Sequence, residues 1–401
     1  MAIVKPFRAL RPDEEKVQNV ASVPYDVIYE EEVRAVTAEN PLSFLRISRA
    51  EAECENSVDT DHKRSRENFE DFIKRGVLVQ DEDPAFYLYR LTAADGHAQT
   101  GIVAGCSLEE YEHGKIKKHE KTRPDKVEDR KSHMLALRAQ TGLIFLAYRE
   151  TPAIDAIISD VTSQPALYDF VADDGVRQTV WKMSETERLA NAFAEVDALY
   201  VADGHHRIES AYQARNAIGD ASSGSEHEYV MAGVFPARDL RILAYNRIVR
   251  GYEDLSDRDI LDAIAKNFSV RETSVKIPAK RGDVCMYLGG KWHEMSFVGT
   301  LPADAGPTDR LDVSIVQHYI MEPVFGIGDP RTDERIGFVG GARGTEELEH
   351  LVDSGEARAA FSLFPTTMDD LLAVSDMGEI MPPKSTWFEP KLKDGLFIHR
   401  I

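Results

Sequence analysis

The sequence predicts a mixed α/β (α+β) protein with a core over residues 1–250 and an additional C-terminal α+β unit over 251–401. Three observations carry this. Strand-length apolar runs alternate with helix-period runs, but at irregular intervals, so a mixed sheet is expected. The chain has 401 residues, more than one small core organises. The pattern also changes after Gly251, following a polar linker at Asp220–Glu226.

Along the chain, Lys5-Pro6-Phe7-Arg8-Ala9-Leu10-Arg11-Pro12 reads as an extended segment or short strand. Val23–Ile28 reads as a loop entering a helix near Tyr29, and Leu42–Ile47 as a strand. His62–Arg75 has helical spacing, with Phe69, Phe72 and Ile73 on one face and Gly76 as its stop. Ala85–Leu91 and Thr100–Cys106 alternate around Ala94-Asp95-Gly96-His97, a hairpin pattern. Glu109–Asp129 is charged and loop-like, with Pro124 arguing against a regular helix. Helices are expected at Arg130–Gln140, Ala153–Ser159 and Glu185–Glu195, and buried strands at Leu143–Tyr148, Val196–Ala202, Tyr229–Phe235 and Arg241–Arg250. Beyond Gly251, helices at Asp257–Asn267 and Ser314–Tyr319 flank strands near Val270 and at Cys285–Gly289. Ile380–Phe388, with two prolines, is loop-like.

The net charge of -21 argues against a general nucleic-acid surface and makes any local basic cluster informative. Three scattered cysteines form neither a disulfide framework nor a zinc ladder. No apolar run is long enough to span a bilayer, and no h-region comes after Met1–Pro6. A cytoplasmic protein acting on small molecules, without a nucleic-acid or membrane partner, is expected. Oligomeric state stays open, a homodimer included.

Four clusters could carry chemistry. Asp203-Gly204-His205-His206-Arg207 lies between an apolar strand and a helix. A glycine there lets the backbone approach a ligand. The helix start adds free N–H groups and a positive dipole end, and Arg207 a bidentate clamp, which together suit phosphate. Read blandly, the same residues are a turn with surface histidines. From Lys115 to His133 there are eight Lys/Arg against four Asp/Glu. His119, Lys121, Thr122 and Arg123 there suit phosphate oxygens, and Glu120 or Asp125 a divalent cation; a solvated charged loop is the alternative. Tyr25-Asp26, after Pro24, offers a general base or substrate partner, or else a helix N-cap. Lys384 and Ser385, on a Pro-rigid turn, could close over phosphate. No P-loop string, no Gly-x-Gly-x-x-Gly after a strand and no His-Glu-x-x-His is present.

Through these blocks the chain resembles the bacterial and archaeal family of domain of unknown function 1015, nearly end to end. The matching blocks are Lys5–Pro12, Val23–Ile28, His119-Glu120-Lys121-Thr122, Asp203–Arg207 and Met381-Pro382-Pro383-Lys384-Ser385-Thr386. The Asp203–Arg207 block is also similar to that of free-serine kinases with a ParB/sulfiredoxin-like fold, where it lies against donor phosphates. The resemblance implies a ParB/sulfiredoxin-like core and phosphoryl transfer from pyrophosphate, or a nucleotide, to L-serine. Asp26 or Glu120 would be the base, Arg46 would meet the serine carboxylate, and His205, His206, Arg207, Lys121 and Arg123 would neutralise phosphoryl charge. Mg²⁺ would sit on Glu120, Asp125 or Asp203. Residues 381–391 could return to the site. Many relatives carry His-Arg where this chain has Asn246-Arg247, and Asn is neither cation nor base. The rival readings are a metal-dependent phosphohydrolase and a non-catalytic, ParB-like sensor of phosphate or nucleotide.

Overall fold

The computed structural model describes residues 2–54, 62–219, 224–252 and 254–401. Of the polar linker, residues 220–223 lie outside the described residues. The chain divides into two compact units: Met1–Leu240 with Pro390–Ile401, and Arg241–Glu389.

The first unit is built on a nine-stranded mixed sheet. Its strands are β1 (Val4–Lys5), β2 (Phe86–Thr92), β3 (Ala98–Ser107), β4 (Ile116–Lys117), β5 (Ile144–Tyr148), β6 (Tyr168–Val171), β7 (Arg177–Met183), β8 (Leu199–Asp203) and β9 (Tyr229–Pro236). They lie in the order β4-β8-β5-β9-β3-β2-β7-β6, with β1 added against β3. The pairs β4–β8 and β5–β9 are parallel. The central strands are apolar on both faces, as strands covered on two sides must be: all five residues of β5 are buried. Ile102, Leu146, Val201, Ile208 and Val234 belong to the main core cluster.

Helices α1 (Glu30–Glu39), α2 (Lys63–Lys74), α3 (Pro124–Leu137), α4 (Pro152–Thr162), α5 (Thr186–Phe193) and α6 (His205–Ile218) accompany this sheet. Helix α2 buries Phe69 and Phe72, and Gly76 comes after it with φ +63°. Pro124 starts α3 rather than excluding it: at the first helical position a missing N–H costs nothing, and proline's fixed φ suits the helix. Leu42–Ile47 is not a strand, because Leu45–Ser48 closes a helical turn in which Phe44, Leu45 and Ile47 are all buried. A short apolar run of this kind has no period that separates strand from helix.

The second unit holds a six-stranded antiparallel sheet of β10 (Tyr245–Val249), β11 (Phe268–Thr273), β12 (Asp283–Leu288), β13 (Lys291–Phe297), β14 (Ile336–Gly340) and β15 (Ala359–Leu363), in the order β11-β13-β12-β15-β10-β14. Ile248, Cys285, Trp292 and Leu348 share its core. This corrects the boundary expected at 250. Strand β10 pairs with β14 and β15, so residues from Arg241 onward belong to the second unit. Residues 390–401 return to the first unit. Ser22 and Asp394 exchange backbone hydrogen bonds of 3.0 and 2.9 Å, and His399 pairs with Gln140. Gly395 takes φ +85°, and a Cβ there would fall 2.7 Å from Phe44; only glycine turns this closely over that ring.

Candidate active site

Strand β8 ends in a bulge. Tyr200 and Val201 face Ala147 and Leu146, but Asp203 faces Phe145, so the extra residue, Ala202, bends the strand end and re-aims Asp203 and Gly204. Gly204 then takes φ +94° as the N-cap of α6, with no side chain capping the helix. A Cβ at Gly204 would lie 3.1 Å from Arg207 Nε. The glycine therefore serves the left-handed backbone and also admits the Arg207 side chain folded back beside the helix start.

Arg207 is 6% exposed. Its Nη1 donates to Leu143 O at 2.8 Å, while Nε has no hydrogen-bond partner. Burial acts to lower its pKa, but Asp26, Asp203 and Asp394 more than offset this, and it stays above the ordinary value. It is a buried, permanent cation with donor capacity to spare.

Asp203 is anchored on both oxygens. Oδ1 accepts from Gly204 N at 2.8 Å, and Oδ2 pairs with Lys391 Nζ at 2.7 Å. Burial pushes this carboxyl up; Lys391 and Arg207 outweigh it and hold the group below the usual carboxylate range. Lys391 thus comes to the site from the returning C-terminal segment.

Tyr25 and Asp26 occupy a turn closed by Val27 N donating to Pro24 O at 3.3 Å. The N-cap of α1 is Tyr29, which removes the capping role for Asp26. Tyr25 N donates to Asp394 Oδ2 at 3.3 Å, and the Arg130 guanidinium lies 4.4 Å from the Tyr25 ring centre. Burial, aided by Asp26, pushes the Tyr25 phenol up to about 12. Asp26 itself is exposed and close enough to bear electrostatically on Tyr25, Arg207 and Asp394. A small cavity opens among Tyr25, Ser48, Arg130, Gly142, Arg207 and Asp394.

The histidines do a different job. His119 and His205 stack edge to face at 4.5 Å, and His205 Nε2 accepts from His119 N at 3.4 Å. Burial lowers His119 to about 4 and His205 well below its usual value, the latter helped by His119. Both are neutral at pH 7 and supply no positive charge. His206 Nε2 accepts from Arg123 N at 3.0 Å, so its proton sits on Nδ1. These imidazoles tie the 119–123 segment to the start of α6. Lys121 and Arg123 are exposed, Thr122 is half-buried, and the Arg123 guanidinium pairs with Asp125 at 2.9 Å.

Arg46 is taken by Glu53 at 2.5 Å and by Pro41 O, so its charge is committed within its own segment. Lys384 and Ser385 belong to the second unit. There Lys384 Nζ sits 5.4 Å from the Tyr245 ring centre, and Ser385 Oγ donates to Pro382 O at 2.7 Å. Asn246, in the same unit, accepts from Leu363 N at 3.1 Å, a structural use of the amide. Glu120 Oε2 lies 3.9 Å from His205 Nδ1. Glu120, Asp125 and Asp203 do not converge, and among the described residues no group of three or more His, Cys, Asp or Glu side chains is placed to hold a metal ion.

Gly142, Lys391 and Asp394 are the site residues that no sequence motif marks, while Arg130 lies in the basic Lys115–His133 stretch. The family described as "Protein of unknown function (DUF1015)" matches residues 4–314. The chain belongs to this family. No curated protein matches it. Solved structures to which this DUF1015 member is similar include three remote ones. A free serine kinase in complex with AMP has 13% identity and a TM-score of 0.35, over 71% of this chain and 86% of that one. SbnI with a C-terminal truncation, from Staphylococcus aureus, has 14% identity and a TM-score of 0.40, over 74% and 87%. A conserved hypothetical protein from Pyrococcus furiosus has 13% identity and a TM-score of 0.37, over 74% and 95%. No helix among the described residues is long and apolar enough to cross a membrane.

Proposed function

We propose that the first unit transfers a phosphoryl group to the hydroxyl of a small acceptor, free L-serine, with pyrophosphate or a nucleotide as donor. The observation that carries this reading is Arg207: a buried cation beside the N-terminus of a 14-residue helix, with an unpartnered Nε and an exposed carboxylate, Asp26, in electrostatic reach. Phosphoryl transfer asks a protein mainly for position and for charge where the equatorial oxygens develop it. Arg207 and the positive dipole end at the start of α6 supply that charge. Asp26 takes the acceptor's hydroxyl proton as the oxygen bonds to phosphorus and the donor's bridging oxygen leaves with its electron pair.

Because the carboxylates do not cluster, Mg²⁺ enters this proposal as part of the substrate, carried on the donor's phosphates. The absence of nucleotide-loop motifs favours a donor with few handles besides phosphate. The test is incubation of the pure protein with L-serine, Mg²⁺ and each of pyrophosphate, ADP and ATP, with phosphoserine as the readout. Formation of phosphoserine, abolished by Asp26→Asn, supports the reading; no phosphoserine with any donor overturns it. Phosphate release that L-serine does not alter identifies a hydrolase instead.

A further inference from the structure

Asp394 and Arg207 face one another without meeting. Asp394 is 3% exposed. Its Oδ2 accepts from Tyr25 N, but Oδ1 has no partner. Arg207 Nη1 is spent on Leu143 O. Buried opposite charges normally close into a pair, because an unpaired buried charge is costly. Here the space between them is kept by Gly142: a Cβ on that residue would lie 2.8 Å from Asp394 Oδ1 and 3.4 Å from Arg207 Nη1. Both charged groups and Gly142 line the cavity.

Charge balance says what the gap accepts. Lys391 satisfies Asp203, and Arg130 pairs with Asp129 at 2.6 Å. That leaves Asp26 and Asp394 around Arg207, one carboxylate more than the cations can match. A phosphate alone would satisfy Arg207 and be repelled by Asp394. A ligand that also carries an ammonium group satisfies both.

We propose that Asp394 holds the ammonium group of an amino-acid acceptor, that Gly142 keeps the slot open, and that the pair selects amino acids over hydroxy acids. This rests on the phosphoryl-transfer reading for the identity of the acceptor. Burial, which pushes the Asp394 carboxyl up to about 7, agrees with it: a proton fills the place that the ammonium takes.

The experiment compares L-serine with L-glycerate, in which a hydroxyl replaces the ammonium, on wild type, Asp394→Asn and Gly142→Ala. Binding is read by calorimetry and, with pyrophosphate, turnover by KM and kcat. Asp394→Asn should raise the KM or Kd for L-serine roughly 10–100-fold, the worth of a charged hydrogen bond, with kcat nearly unchanged and glycerate not weakened. Gly142→Ala, which keeps every charge, should act in the same direction. Equal weakening of both ligands, or unchanged serine affinity in both variants, overturns the proposal. If wild type forms no phosphoserine, the catalytic reading falls, while calorimetry still decides this one. Serine binding lost in Asp394→Asn supports it; no serine binding to wild type overturns it.

Discussion

Asp394→Asn should flatten the dependence of stability on pH. Its carboxyl has an ordinary value of 3.8 and is raised by burial to about 7; Asp26 adds to this, while Arg207, Arg130 and the Tyr25 N–H oppose it. A group raised in the folded state gives its full stabilisation below the unfolded value, where both states hold the proton. That contribution is lost as pH rises through the folded value. Between about pH 4 and 7 wild type should therefore lose about 1.4 kcal/mol per pH unit relative to the variant, about 4 kcal/mol in all. The buried His119 and His133, lowered to about 4 and about 3, work in the opposite direction, but they are common to both proteins and cancel in the difference. The assay is urea unfolding at pH 4, 5, 6, 7 and 8, followed through Trp181 with Trp292 and Trp387 replaced by Phe, so that the first unit alone is read. Parallel curves for wild type and variant across pH 4–8 would refute the reasoning.

Other perturbations test separate parts of the site. Arg207→Ala should slow phosphoserine formation by roughly 100-fold or more; an unchanged rate removes Arg207 from the mechanism. Gly204→Ala forces a Cβ into φ +94° and against Arg207, and should cost about 1 kcal/mol or more in denaturant unfolding. Lys391→Met removes one of the partners of half-buried Asp203, which keeps the Gly204 N–H and the nearby Arg207. It should cost about 1.5 kcal/mol at neutral pH, the low end for a hydrogen bond to a charged group, and the deficit should shrink in acid as Asp203 is protonated.

How much of the fold and the site was legible depends on how far apart the partners lie in the chain. The strand–glycine–helix arrangement at 199–218 is written in one continuous stretch, since an apolar run, a glycine and a helical period are local signals. The hairpin around Gly96 is equally local. Pro124 misleads because the same ring that breaks a helix interior starts a helix well. Leu42–Ile47 misleads because burial on all sides erases periodicity. His205 and His206 read as cations in a string; the burial of His205 and the acceptor roles of both toward the backbone of 119–123 are properties of the fold. Asp394 and Lys391 carry no motif. Their significance comes from the bridge to Ser22 and the pair with Asp203, contacts some 370 and 190 residues away in sequence.

The return of residues 390–401 has a consequence for how the protein is made. Lys391 and Asp394 leave the ribosome only after residues 241–389, which at about 5–20 residues per second means about 7–30 s of further synthesis. Throughout that interval the nascent first unit carries Arg207 and Asp203 without Lys391 or Asp394. The nascent domain should therefore bind L-serine weakly and be less stable until residues 390–401 emerge, so full affinity for the acceptor is tied to translation of the whole intervening unit.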